Sequence, residues 1–185
     1  MRAWLFRLMT KTLLVASNAW AYVHDSGTDT PPAVAAALPG SRLVGQARLT
    51  VWGYKIYDAS LWARPGFVAA DYSDTPLALR MTYLHAFKAK DIVALSLKEM
   101  RRNAAIDETQ SARWTADLLR VIPDVRPGDS VLGVYQPGQG AAFWVDGRSH
   151  GEIRDAEFAR LFFGIWLSPK TSEPGLREAL IEGAE

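Results

Sequence analysis

The chain has 185 residues, 21 Lys and Arg against 20 Asp and Glu, three His, no Cys and a 49% hydrophobic share. A net charge of +1 supplies no basic field for nucleic acid, and the lack of cysteine excludes disulfides, thiolate catalysis and Cys-based metal sites together. With a leader set aside, the length is that of one domain, and seven Trp, seven Phe and six Tyr predict an aromatic core or pocket.

Arg2, Arg7 and Lys11 precede the apolar run Leu13-Leu-Val-Ala16, and Ala19-Trp-Ala21 has the small-x-small form that a signal peptidase reads. Residues 1–21 are therefore read as a signal peptide and the protein as periplasmic. The competing reading is an amphipathic anchor built on Trp4, Leu5, Phe6, Leu8 and Met9. Cleavage after Ala21 removes three positive charges and takes the net charge to −2. No other stretch has the length and apolarity of a membrane span. Residues 22–40, rich in Pro, Ala and Thr and closing on Leu-Pro-Gly, read as a lead-in arm to a domain over residues 41–185.

Arg42 to Ala63 has the pattern of a β-hairpin turning at Trp52-Gly53, and Leu77 to Phe87 that of a third strand. Lys90 to Arg102 is predicted helical from the spacing of Ile92, Leu95, Leu97 and Met100. A second helix, Glu108 to Ile122, carries Trp114, Leu118 and Val121 on one stripe and stops at Pro123. After the turn Arg126-Pro-Gly-Asp129, strands Ser130 to Tyr135 and Ala141 to Val145 flank Gln136-Pro-Gly-Gln-Gly140, and a short strand ends near Ile153. The next helix, capped by Asp155, is apolar almost all round (Phe158, Leu161, Phe162, Ile165, Trp166) and must be wrapped by other elements. A last helix, near Glu173 to Glu182, has Ser172 as its cap and Pro174 in its first turn. This order predicts an α+β fold, an antiparallel sheet with helices packed on one side.

With Trp52 and Gly53 as the two loop residues, Val51 pairs with Tyr54, Leu49 with Ile56 and Arg48 with Tyr57. One face then carries Ala47, Leu49, Val51, Tyr54 and Ile56. The other carries Arg48, Thr50, Lys55 and Tyr57 and continues into Val44, Ala59 and Leu61. A guanidinium beside a phenol at the end of an apolar strip suits a carboxylate with a hydrocarbon tail. The same pattern also describes a solvated sheet face on which Arg48 stacks on Tyr57.

Two blocks carry a family likeness: Leu49-Thr-Val-Trp-Gly-Tyr-Lys-Ile-Tyr57, and Gly151-Glu-Ile-Arg-Asp-Ala-Glu-Phe-Ala-Arg-Leu-Phe-Phe-Gly-Ile-Trp-Leu167. Through them the chain resembles the chalcone-isomerase-like family in its bacterial, exported form. The resemblance implies an open-faced β-sandwich, a fold that carries both an isomerase and non-catalytic fatty-acid binders. In the binders an arginine on the first strand and a tyrosine on the next hold the ligand carboxylate, and Tyr57 falls at that tyrosine. Arg48 lies one residue out of register with the family arginine, and a one-residue slip turns a side chain to the opposite face. The plant isomerase places Tyr, Lys and Asn on the helix after the third strand. The matching positions here are Ile92, Leu95 and Glu99, two aliphatics and an acid, none of which can do that work.

Other chemistry finds little footing. His24, His85 and His150 have no metal-site spacing, Gly138 and Gly140 sit in a hairpin turn, and Ser60 and Ser96 have no base in a recognisable motif. The reading is a non-catalytic binder of a small apolar, fatty-acid-like acid held between sheet and helices, with no metal or organic cofactor. Arg48 and Tyr57 would anchor its head, and Leu61, Ile92, Leu95, Phe162 and Trp166 would line or close the apolar part. The alternatives are an isomerase or lyase of an unsaturated carbonyl compound, using Tyr57, Arg48 and Lys88 or Lys90, and an envelope interaction protein without a pocket.

Overall fold

A computed structural model describes residues 30–185; the leader and the first part of the lead-in arm lie outside the described residues. Six strands form one antiparallel sheet in sequential order: β1 (Arg42–Val51), β2 (Tyr54–Ala63), β3 (Leu77–Tyr83), β4 (Ser130–Gln136), β5 (Gly140–Val145) and β6 (Arg148–Ile153). Helices α2 (Ala89–Met100) and α3 (Glu108–Val121) are inserted between β3 and β4. Helix α4 (Ala156–Leu167) then crosses back over β4 and β5, and α5 (Pro174–Leu180) packs along β1. The result is an α+β open-faced sandwich with its main helices on one side of the sheet. Among the described residues no helix is long and apolar enough to cross a membrane.

Local chemistry explains the element ends. Trp52 and Gly53 take φ of 49° and 83°, the positive values that a two-residue hairpin turn with the sheet's twist requires. Asp107 and Gln110 form a reciprocal capping box at the start of α3. Asp155 accepts from the Phe158 amide at 2.9 Å and so caps α4. Pro174 stands at the first position of α5, but the cap position is Glu173, without a side-chain bond, where Ser172 was expected. The third strand ends at Tyr83 rather than Phe87, because Leu84 to Lys88 turn the chain toward α2.

Two elements carry no clear periodicity in the sequence. Pro32–Ala37 forms a short helix, α1, within the expected arm, and it buries Val34, with Leu38 just beyond it, on the outer sheet face against Trp62, Ala78, Leu132 and Val134. Ala69–Asp74 forms a 3-10 segment held by Tyr135, whose hydroxyl donates to the Ser73 carbonyl at 2.6 Å.

The main core lies between the inner sheet face and the helices. Alternation along β2, β3 and β4 sends Ala59, Leu61, Leu79, Met81 and Val131 to this side. Helix α4 presses on it with a ladder of rings. Phe158 and Phe162 stack at 5.5 Å, and Phe143 and Trp166 meet Phe162 edge-on at 5.5 and 5.4 Å.

At the β1 edge, Gly45 lets α5 approach: a Cβ there would meet the carbonyl oxygens of Ala179 and Leu180. Backbone oxygens cannot swing aside, so Gly45→Ala is expected to lose about 2–3 kcal/mol of unfolding free energy. Gly175→Ala, inside α5 with open space around the new methyl group, should instead gain up to about 1 kcal/mol. Denaturant melts of the two variants against the parent protein measure the difference.

Candidate functional site

Between the inner sheet face and helices α2 and α4 lies a cavity of about 510 Å³. Leu49, Ile56, Tyr57, Met81 and Tyr83 supply its sheet side. Helix α2 contributes Ile92, Leu95, Ser96 and Glu99, which share one stripe at three- and four-residue spacing. Helix α4 contributes Phe162, Ile165 and Trp166 by the same rule, and Ser172, Glu173 and Leu176 come from the segment entering α5. Hydrocarbon dominates, and the polar groups are few.

The principal polar contact is between Tyr57 and Trp166. The indole Nε1 donates to the phenol oxygen at 2.9 Å, linking β2 to α4 across the cavity. Burial pushes the Tyr57 hydroxyl up to about 12; the indole bond works against that rise and the charge of Glu173 adds to it. Tyr83 lies edge-on to Tyr57 with ring centres 6.1 Å apart, and its hydroxyl is also raised, by burial and then by its neighbour. Both phenols therefore stay protonated at neutral pH.

Every charged side chain on the lining is an acid: Asp91, Glu99 and Glu173. Glu99 has Arg102 Nε 2.8 Å from its Oε2, a charge contact that lacks hydrogen-bond geometry. Among the described residues no Lys or Arg lines the cavity.

Of the residues singled out in the sequence, Tyr57, Ile92, Leu95, Phe162 and Trp166 line the cavity. Leu61 does not. It is fully buried in the packed core four residues along β2 from Tyr57, about 13 Å at strand rise. Arg48 does not line it either, and its expected pairing with Tyr57 is corrected. Beyond the turn Thr50 pairs with Lys55, but Leu49 then pairs with Tyr57 and Arg48 with Asp58, because Ile56 is an extra residue on β2. This bulge puts Tyr57 on the inner face with Leu49. Arg48 is left outside, where Nε and one NH2 group bind both Asp58 oxygens at 2.5 and 2.8 Å in a half-exposed pair.

Lys88 is exposed and paired with Asp124 at 2.8 Å, and neither Lys88 nor Lys90 reaches the lining. His85, beyond the end of β3, and His150 are exposed, while His24 lies outside the described residues. Sequence reasoning did not single out Tyr83, Ile165 or Glu173 for the site. Alternation along Leu77–Tyr83 was the available signal for Tyr83. Nothing local marked Glu173, which arrives through the docking of α5.

These features define a class: an open-faced α+β sandwich with an apolar cavity between sheet and helices. A model of the chalcone isomerase-like family matches residues 29–182, and the chain belongs to that family. An uncharacterized protein of Haemophilus influenzae is 27% identical over 140 residues, covering 75% of this chain and 66% of its own length. The chain thus spans just under two thirds of that relative. Among solved structures, a fatty-acid binding protein of Arabidopsis thaliana superposes with a TM-score of 0.59 at 11% identity, covering 78% of this chain and 88% of the other. At that identity the likeness is one of fold.

The tilt of α4, and with it the cavity wall, is held by Asp155. Besides capping the helix, its other oxygen accepts from Trp114 Nε1 at 2.9 Å and from Arg113 at 2.6 Å. Partial burial opposes the charge. The Phe158 amide, Trp114 and Arg113 outweigh it and hold the carboxyl below its usual range. A depressed folded-state value means that the contribution to stability is complete above the unfolded value and is lost as pH falls through the folded one. Asp155→Asn should therefore lose about 1–3 kcal/mol at neutral pH and show a shallower fall in stability on acidification below pH 4, read from urea midpoints across an acid series.

Proposed function

We propose that this protein is a non-catalytic binder of a small apolar compound, a lipid-like molecule held between sheet and helices, acting in the periplasm. The observation that carries this reading is the cavity itself. Its volume of about 510 Å³ falls within the usual range for small-molecule sites, and its walls are hydrocarbon with a few placed hydroxyls. An apolar guest in this partly open hollow removes hydrocarbon surface from water and gains dispersion contacts with the walls. The fold shared with the Arabidopsis fatty-acid binding protein supports the ligand class. The exported setting is supported by Arg2, Arg7 and Lys11 ahead of Leu13-Leu-Val-Ala16 and by Ala19-Trp-Ala21.

The apolar part of the ligand would rest on Ile92, Leu95, Phe162 and Trp166, with Tyr57 as the polar group nearest the indole. Titration with the neutral fluorophore N-phenyl-1-naphthylamine tests this. The parent protein should bind it saturably. Leu95→Trp, at a half-exposed lining position where a larger ring can be added without overpacking the core, should weaken binding by about tenfold. Arg48→Ala should leave the affinity unchanged, since that guanidinium is on the other side of the sheet. An absence of saturable binding, or full affinity in Leu95→Trp with an unaltered circular dichroism spectrum, would count against the cavity as the site.

A further inference from the structure

We infer that the cavity selects a ligand whose head is an uncharged oxygen, such as a long-chain alcohol or ester, and disfavours a carboxylate. The inference rests on the binder reading above and adds the chemistry of the head group.

Hydrogen-bond direction supplies the first part. Tyr57 uses its oxygen to accept from Trp166, so its own O–H hydrogen must go elsewhere, and among the described residues it has no acceptor. Tyr83 lines the same cavity from the neighbouring strand, and its hydroxyl has no protein partner among the described residues either. A ligand oxygen in the cavity that accepts from both phenols replaces solvent as their partner and keeps them bonded when the ligand excludes water. Because the indole donates into the Tyr57 oxygen, the phenol becomes a stronger donor toward the cavity.

Charge supplies the second part. A bound carboxylate accepts hydrogen bonds too, but once desolvated it needs a cation. The charged lining here is Asp91, Glu99 and Glu173, and the cation beside Glu99, Arg102, is already in contact with that acid. Arg48 is on the opposite face, bound through both Asp58 oxygens. A carboxylate would add a like charge to this set, whereas an alcohol or ester oxygen takes the same phenol bonds without the repulsion. The negative field at this spot is also felt by Tyr57, whose hold on its proton Glu173 strengthens.

Competition for bound N-phenyl-1-naphthylamine by dodecan-1-ol and by dodecanoate at neutral pH separates the possibilities, since the two share one chain and differ in the head. Dodecan-1-ol should displace the fluorophore with at least about tenfold higher affinity than dodecanoate. Tyr57→Phe should weaken dodecan-1-ol about fivefold, and Glu173→Gln should strengthen dodecanoate and so narrow the gap between the two ligands. Equal or tighter binding of dodecanoate overturns the head-group inference and leaves the binder reading intact. Failure of the fluorophore and of both chains to bind overturns the binder reading itself. If Tyr57→Phe does not fold, the ratio of the two affinities in the parent protein still decides the matter.

Discussion

Between Thr50 and Leu49 the β1–β2 ladder admits one extra residue, Ile56, on β2. From that point the side chains of β2 are displaced by one position relative to a regular hairpin. Because strand side chains alternate faces, the shift decides what the inner face receives: Tyr57, Ala59 and Leu61 enter, while Arg48, Asp58 and Ser60 face out. At Val44 an extra residue on β1 restores the original register, and the Val44 carbonyl accepts from the Gly183 amide. The cavity's polar endowment, phenols without a guanidinium, follows from these paired irregularities.

The second determinant is how α4 is held. An almost wholly apolar helix has little preference for one rotation on hydrophobic grounds alone. Directional bonds at its two ends select the orientation: Asp155 with Trp114 and Arg113 at the start, and Trp166 with Tyr57 in the last turn. With these in place Phe158 and Phe163 pack into the core, and Phe162, Ile165 and Trp166 turn toward the open volume. The same rings thus serve as core on one side and cavity wall on the other.

The outer sheet face has a different character. Arg80 lies 5.1 Å over the Trp62 ring, Gln46 donates to the Ser60 hydroxyl, and Arg48 pairs with Asp58. Helix α1 covers the apolar remainder through Val34 and Leu38. An arginine placed on this face sits among polar partners. The fold is shared with a fatty-acid binding protein, while the inner cavity here is lined by acids and phenols and, among the described residues, by no Lys or Arg.

Strand and helix order, the hairpin turn at Trp52-Gly53, the Asp155 cap and the burial of α4 were legible in the sequence, because each depends on local pattern: alternation, helical spacing, turn chemistry. So were five cavity residues, since Ile92 and Leu95, like Phe162 and Trp166, share a stripe wherever the helix docks, and the family resemblance implied a site tyrosine at Tyr57. The tertiary structure alone decided that Arg48 faces away from Tyr57, that Leu61 is solid core, and that Glu173 borders the cavity. A bulge is a contest between two ladders that differ by one residue. Its outcome depends on the packing of both faces at once, which no single strand's sequence contains.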